Sequence, residues 1–218
     1  MLDFVRAISL PFFYWIFPTK KVYIGDKKKV KSALKNNALL LCNHYGFCDV
    51  TFIYQHFLSR RIRIVASEVV WNAKIMRYGM NHGGVIKYHL ISMNGIDYQA
   101  YKEIVGTLNG HGVVSMFPEG HFNKETQFSN EIKSGAAAIS LITNSPIIPF
   151  MFIKPYKPFR KNVVKIGEPI YPDKFIDESK GELAKQITSF NEMIEFPNLS
   201  LNAQEAFADC TNLKEIKC

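Results

Sequence analysis

The sequence predicts an α/β fold in which a layered mixed sheet is flanked by helices, preceded by a short N-terminal interfacial segment. Short apolar runs of strand length alternate along the chain with segments whose apolar residues recur at helical spacing. The 218 residues suffice for one large core, and 47% hydrophobic with 21% charged residues is ordinary for a globular protein. No repeat or low-complexity linker divides the chain.

The first half of the chain predicts two strands, two helices and a short apolar piece. An apolar run predicts a strand at 38–43, and 49–58 is predicted to be helical. Residues 62–66 alternate apolar with basic side chains, which predicts a strand, and Ser67 is a suitable N-cap for a following helix. A further short apolar piece follows Gly83-Gly84.

The second half continues the alternation. Apolar residues recur at helical spacing over 97–108, and Asn109-Gly110 supplies a helix end signal. A strand is predicted next at 112–117 and a helix at 132–142. The remaining predicted elements are strands at 146–153 and 163–166 and a helical tail beyond Gly181, broken at Pro197.

The net charge of +8 is clustered rather than spread. Clustered basic residues favour anionic lipid, phosphorylated cofactors, nucleic acid or an acidic carrier protein as partners, and a solvated basic surface is the alternative. Nucleic acid is not expected, because the clusters lack interleaved aromatic stacking motifs. The three clusters are Lys20, Lys21, Lys27, Lys28, Lys29, Lys31 and Lys35; Arg60, Arg61 and Arg63; and Lys154, Lys157, Arg160, Lys161 and Lys165.

The N-terminal residues 1–19 are predicted to associate with a membrane. Residues 7–19 are uncharged and aromatic, flanked by Arg6 and Lys20, but the run is too short and too interrupted by proline to span a bilayer. Aromatic rings beside lysines fit an interfacial anchor on anionic lipid, here at the cytoplasmic face of the cell membrane. A first helix packed on the core is the alternative.

The four cysteines do not form a disulfide framework in a chain this long, so we expect reduced thiols in the cytoplasm. Cys42, His44 and Cys48 match no common zinc spacing, and no metal is expected.

His44 and Asp49 follow the apolar run at 38–43. In layered α/β sheets, ligands bind at the carboxyl ends of strands. Asp49 falls near the first turn of the next predicted helix, where its carboxylate can reach back, fix the imidazole tautomer and leave the other nitrogen as a general base. There is no G-x-S-x-G elbow, and neither cysteine stands in a nucleophile motif. The pattern therefore favours direct attack by a substrate hydroxyl.

Several ordered motifs resemble those of the glycerolipid acyltransferases, the family that includes lysophosphatidic acid acyltransferase. NHYGFCD at 43–49 resembles the N-H-x-x-x-x-D motif, and FPEG at 117–120 resembles that family's F-P-E-G. SPIIPF at 145–150, GGVIK at 83–87 and IGEPI at 166–170 resemble further blocks, so the resemblance covers about residues 20–172. Ordered motifs at fitting separations are much rarer by chance than a single one.

The resemblance implies an acyltransferase domain at 20–197, followed by a helical tail at 198–218. It implies transfer of a fatty acyl group from acyl-CoA or acyl-carrier protein to a lysolipid hydroxyl, with 1-acylglycerol-3-phosphate as the expected acceptor. These thioesters act as co-substrates, and no bound cofactor is expected. His44 is the implied base and Asp49 its orienting partner. The resemblance implies that Asn43 braces the turn. The implied substrate-site positions are Asn43, Gly84, Ile86, Glu119, Gly120, Pro146 and Pro149.

Two departures from the family pattern bear on the acceptor. Leu90 and Phe122 stand where the family has arginines, so two phosphate ligands are missing. Neighbouring side chains that can substitute in part are Lys87, His89, His121, Lys124 and Lys133. An acyltransferase with a non-phosphate acceptor, a thioester hydrolase, and a non-catalytic lipid-binding protein on the same fold remain open alternatives.

Overall fold

The computed structural model describes residues 10–57, 60–69, 84–89, 97–120, 122 and 135–172. Seven strands form one sheet: β1 (Thr19–Tyr23), β2 (Ala38–Cys42), β3 (Ile62–Ser67), β4 (Ile86–Tyr88), β5 (Val113–Met116), β6 (Ile147–Phe152) and β7 (Asn162–Ile166). Their order is β1-β7-β6-β2-β5-β3-β4. Four helices lie between them: α1 (Lys27–Ala33), α2 (Asp49–His56), α3 (Tyr98–Asn109) and α4 (Gly135–Thr143). Residues 10–16 form a further short helical segment.

The strand directions give the sheet two unlike edges. Strands β2 to β6 are mutually parallel, so all five end at one edge, here called the carboxyl edge. Strand β7 runs antiparallel to β6, and β1 runs parallel to β7, so both of these strands begin at the carboxyl edge. The opposite edge, at which β2 to β6 begin, is called the amino edge.

Helices cover both faces of the sheet because the central strand is apolar on both sides. All five residues of β2 are buried, and Leu39, Leu40 and Leu41 have no exposed surface. Leu39 and Leu41 pack with α3 and α4, whereas Leu40 packs with α1 and α2 on the other face. Complete burial of a leucine side chain contributes on the order of 2 kcal/mol, so β2 anchors both layers of the core.

The predicted fold class, a mixed sheet flanked by helices, is confirmed. The predicted strand at 38–43 corresponds to β2, and the predicted helix at 97–108 to α3, which is capped by Asp97. The structure adds β1 and α1, which hydrophobic pattern did not indicate; α1 is capped by Asp26, whose Oδ1 accepts the Lys28 N–H at 2.7 Å. The predicted C-terminal tail at 198–218 lies outside the described residues, as does most of the helix predicted after Ser67.

Candidate active site

His44 and Asp49 form a hydrogen-bonded pair at the carboxyl edge. The Nδ1–H of His44 donates to Asp49 Oδ2 over 2.7 Å. The Asp49 side chain has no exposed surface, and that of His44 is 17% exposed. An ionised carboxylate only accepts hydrogen bonds, so this contact sets the proton on Nδ1 and leaves Nε2 as a proton acceptor.

The backbone between the two residues holds the carboxylate in place. The N–H groups of Tyr45 and Gly46 donate to the same Asp49 Oδ2, at 2.8 and 2.9 Å. Asp49 is also the first residue of α2, where the helix dipole favours a negative charge. Gly46 is needed for close packing, because a Cβ at this position would lie 2.8 Å from the Tyr156 hydroxyl. These contacts explain the glycine between the histidine and the acid.

Asn43 fixes the position from which His44 projects. Its Nδ2–H donates to the Phe152 carbonyl at 3.0 Å, and its Oδ1 accepts the Phe152 N–H at 2.9 Å. The buried amide therefore continues the β2–β6 pairing one residue beyond Cys42, the end of β2. Both polar groups of this side chain are engaged by backbone, which gives Asn43 a bracing position rather than one facing a substrate.

Two phenylalanine rings lie against the imidazole of His44. The Phe117 ring stacks on it with centroids 4.0 Å apart, and the Phe122 ring lies 4.3 Å away, tilted by 44°. Phe47 contacts Phe122 edge-on at 5.1 Å. The imidazole therefore sits in largely apolar surroundings, which strengthen its electrostatic interaction with Asp49.

The F-P-E-G segment forms a turn directly after β5, beside the pair. The Gly120 N–H donates to the Phe117 carbonyl at 3.1 Å, and Gly120 has a φ of 71°, which favours glycine. Glu119 is buried, and its charge contributes, after burial itself, to raising the pKa of the Tyr45 hydroxyl. Glu119 and Gly120 thus lie at the same edge as His44.

The thiols and the phenol near the pair stay protonated. Burial, followed by the charges of Asp49 and Glu119, raises the pKa of Cys42 well above its ordinary value. Burial and the Asp49 charge also raise the pKa of Cys48, and burial with Asp49 raises that of Tyr156. A thiolate is the nucleophilic form of cysteine, so neither thiol is activated as a nucleophile.

The other predicted site residues are spread over the sheet. Gly84 and Pro146 lie toward the amino edge, Gly84 accepting a hydrogen bond from Arg63 and Pro146 one from the Leu39 N–H. Ile86 is fully buried in β4, and Pro149 lies within β6. Lys87 is exposed on β4. His121, Lys124 and Lys133 lie outside the described residues.

A second histidine–aspartate pair, not anticipated from the sequence, follows β4 at the carboxyl edge. His89 Nδ1–H donates to Asp97 Oδ2 at 2.8 Å, and the His89 N–H donates to the same oxygen at 2.7 Å. Burial raises the pKa of Asp97, but these bonds and one from the Ala100 N–H outweigh burial and lower it. The eight-residue spacing of His89 and Asp97 belongs to no motif. The position of His89 directly after a strand is the one signal in the sequence that could have indicated this pair.

The helical segment at 10–16 has two unlike sides. Phe13 and Phe17 stack on each other at 4.8 Å and contact the core ring of Phe52. Phe12 and Trp15 are 63% and 66% exposed. The segment therefore packs on the core through one side while presenting aromatic rings on the other. Of the helices in the described part of the chain, none is long and apolar enough to cross a bilayer.

Comparison with known proteins identifies the family of the chain. A family model described as Acyltransferase matches residues 21–153, from β1 past the end of β6, and thus contains the pair and the F-P-E-G turn. The chain belongs to the acyltransferase family. The resemblance inferred from the motifs is thereby confirmed at the level of the family.

The fold of this acyltransferase is similar to that of a solved relative. The 1-acyl-sn-glycerophosphate (LPA) acyltransferase PlsC from Thermotoga maritima matches with a TM-score of 0.61 and 15% sequence identity. The match covers 100% of this chain and 80% of that one. At this identity the likeness concerns the fold alone. No curated protein sequence matches the chain.

Proposed function

We propose that this acyltransferase moves a fatty acyl group from acyl-CoA or acyl-carrier protein to a lysolipid hydroxyl, of which 1-acylglycerol-3-phosphate is the expected example. The reaction takes place at the cytoplasmic face of the cell membrane, with the protein bound peripherally. The observation that carries the proposal is the 2.7 Å hydrogen bond between His44 and the buried Asp49 at the carboxyl edge. The intact pair argues against a silent lipid-binding protein on the same fold.

The transfer needs one base and no protein nucleophile. His44 Nε2 accepts the proton of the acceptor hydroxyl while the hydroxyl oxygen attacks the thioester carbonyl carbon. Collapse of the tetrahedral intermediate breaks the carbon–sulfur bond, and the imidazolium returns the proton to the departing thiolate. The products are the lipid ester and a free thiol, and His44 is again neutral. Asp49 holds the tautomer and stabilises the imidazolium between the two steps.

An acceptor without a phosphate monoester is the second candidate. Phe122 stands at one of the family's arginine positions, and its ring lies 4.3 Å from that of His44. A phenylalanine there removes a bidentate phosphate ligand and adds apolar surface beside the base. This favours lysolipids with an uncharged or differently charged headgroup over the phosphate monoester.

Product analysis tests both candidates. Labelled acyl-CoA and labelled acyl-carrier protein are each incubated with a panel of lysolipids, and the lipids formed are identified by mass. We expect an acylated lipid that is absent with His44→Ala. Free fatty acid as the sole product would instead indicate hydrolysis. If the folded protein binds lipid but forms no product with any donor and acceptor, the non-catalytic alternative is correct.

A further inference from the structure

Three exposed aromatic rings from two distant segments of the chain meet in one cluster. Phe12 and Trp15 come from the helical segment at 10–16, and Phe159 comes from the loop between β6 and β7. Trp15 contacts Phe159 edge-on with centroids 5.6 Å apart, and Phe12 lies 6.1 Å from Trp15. The three are 63%, 66% and 65% exposed, so contact among them leaves most of their surface uncovered. We call Phe12, Trp15 and Phe159 the aromatic face.

The backbone holds Phe159 in a conformation that its side chain disfavours. Its φ is 56°, in the left-handed region that bulky residues rarely adopt. The Phe159 N–H donates to the Ile16 carbonyl at 2.6 Å, and the Asn162 N–H donates to the Pro18 carbonyl at 2.8 Å. These bonds join the loop to the N-terminal segment. The ring stays mostly exposed, so these backbone bonds, rather than burial of the ring, hold the disfavoured conformation.

The aromatic face lies at the same edge of the sheet as His44. Strand β6 ends at Phe152, whose backbone is bonded to Asn43, and the loop that carries Phe159 follows from that end. Strand β1 begins at Thr19, paired with Asn162, so the helical segment reaches the sheet at the same edge. Both segments therefore flank the candidate active site.

The two chain stretches that carry the aromatic face have charges of one sign. Residues 10–25 and 153–167 contain no aspartate or glutamate. The exposed cations in these two stretches that the aromatic face can share are Lys20, Lys154, Lys157, Arg160 and Lys161. Lys21 is also exposed, but its Nζ donates to the His56 carbonyl at the other end of α2. Exposed aromatic rings interleaved with cations match the chemistry of an anionic bilayer surface, where the rings enter the headgroup region and the cations contact lipid phosphates.

We propose that the aromatic face and the cations around it dock on an anionic lipid bilayer, with the β6–β7 loop contributing through Phe159 beside the N-terminal segment. Docking through this face brings the carboxyl edge to the membrane, where a lysolipid acceptor can reach His44 without crossing bulk water. The proposal deepens the proposed function and rests on it for the identity of the acceptor. It adds a second membrane-binding element, more than 130 residues from the first along the chain.

The test measures binding of the full chain to vesicles of phosphatidylcholine containing phosphatidylglycerol. Phe159→Gly is the informative variant, because glycine suits a φ of 56° and the fold therefore loses no backbone stability. We expect its partition coefficient to fall about tenfold or more, since a large aromatic side chain no longer enters the interface. Ile24→Ser is the matched control: Ile24 is 52% exposed but follows the far end of β1. Its partitioning should equal that of the wild type.

A second measurement separates this proposal from the proposed function. Turnover of a short-chain, water-soluble lysolipid without vesicles should be the same for Phe159→Gly and the wild type. If the wild type has no transferase activity yet Phe159→Gly weakens vesicle binding, the proposed function fails and the docking surface stands. Equal vesicle binding of Phe159→Gly and the wild type overturns the docking surface. A change in self-association, measured by sedimentation, without a change in vesicle binding overturns it as well. Equal binding to pure phosphatidylcholine overturns the role of the cations.

Discussion

His44 and His111 occupy opposite edges of one sheet and have opposite surroundings. His44 follows β2 at the carboxyl edge, bonded to a buried carboxylate and covered by two phenylalanine rings. His111 precedes β5 at the amino edge, where it is exposed with a φ of 57°. The contacts that engage it are those of its backbone, whose N–H donates to the Leu108 carbonyl and whose carbonyl accepts from Arg60. His44 thus differs from His111 in having a ring oriented by a buried carboxylate, which the proposed role as general base requires.

The amino edge also carries several positive charges, but most of them are bonded to other parts of the chain. A cavity of about 480 Å³ there is lined by Arg60, Arg61 and Arg63. Arg60 Nη2 donates to the carbonyls of Asn36 and His111, at 2.8 and 2.6 Å. Arg63 bonds the Gly84 carbonyl, Thr107 and Glu103. Arg60 therefore ties two loops together, and Arg63 ties a loop to α3.

The difference follows from strand direction. Five parallel strands end at the carboxyl edge, so the residues after β2 and β5 meet there without needing to be near in sequence. The first turn of α2 brings Asp49 to the same point, where its charge is favoured. The amino edge receives helix ends and strand starts, whose exposed carbonyls bind arginine.

Replacing His44 and His111 in turn should give the largest difference in turnover between the two edges. His44→Ala should lower kcat about a hundred- to ten-thousand-fold, the usual contribution of a positioned base. His111→Asn should leave turnover unchanged, since asparagine tolerates a positive φ. Initial rates with acyl-CoA and lysolipid, together with circular dichroism of both variants, provide the measurement. Wild-type turnover in a folded His44→Ala variant contradicts the mechanism.

Asp49→Asn tests whether orientation of the base matters as much as its presence. The amide can donate to Nδ1 and so select the tautomer with its proton on Nε2, which cannot act as the base. We expect a loss of kcat about a hundredfold or more, with little change in KM. A variant that keeps the wild-type pH–rate profile would assign Asp49 a purely structural role.

The other end of α2 should control stability at acidic pH instead of chemistry. Burial, followed by the charge of Lys21, lowers the pKa of His56 from 6.5 to about 4. Between pH 6.5 and pH 4, His56 therefore binds a proton more readily in the unfolded chain than in the folded one. The folded state loses stability as the pH falls from 6.5 towards 4. The shift corresponds to a stability loss on the order of 3 kcal/mol.

Denaturant unfolding at neutral and acidic pH measures the His56 contribution. His56→Gln should be less sensitive than the wild type to the fall in pH across this window, while its turnover at neutral pH is kept. An equal pH dependence of the two proteins would show that His56 titrates normally in the folded state.

Of these substitutions, Phe122→Arg should have the smallest effect, which is a change in selectivity between acceptor lipids. The wild-type ratio of kcat/KM for lysophosphatidic acid over a lysolipid without the phosphate monoester should stay below about a hundred, equivalent to nearly 3 kcal/mol. Adding the arginine should raise this ratio about ten- to a hundredfold, because a charge-assisted bond contributes roughly 1.5–3 kcal/mol. Phe122→Leu, which removes the ring without adding charge, is the control and should not raise the ratio.

A wild-type ratio above about a hundred would mean that other cations bind the phosphate. Loss of that preference in Lys124→Ala or Lys133→Ala would then identify which lysine does so.

The sequence was most informative where a property repeats or a motif is local. The wholly apolar β2 and the helical period of α3 were predictable, because burial imposes apolar residues at fixed intervals. The pairing of His44 with Asp49 was also predictable, since five residues and a helix start connect them. Strand β1 was not predictable. It is the outermost strand of the sheet, and its lysines remain exposed, so apolar and polar residues do not alternate clearly along it.

Contacts between distant segments could not be predicted from one sequence. Phe122 stood out as a departure from the family pattern, but nothing in the chain indicated that its ring would lie on that of His44. Tyr156 reaches the pair from a loop that follows β6, and Asn43 bonds a strand more than 100 residues away. The sequence left open whether residues 7–18 pack on the core or face a membrane; the described helical segment packs on the core through Phe13 and Phe17 while Phe12 and Trp15 remain exposed.

The most direct test of the central claim is the intact mass of the protein after exposure to labelled acyl-CoA or acyl-carrier protein, first without and then with lysolipid. The central claim is that the acceptor hydroxyl, activated by His44, attacks the thioester itself. The account predicts an unmodified protein mass in both cases and acylated lipid only when lysolipid is present. A chain that carries one acyl group before lysolipid is added, and loses it on addition, would contradict the account, because transfer would then pass through a protein nucleophile.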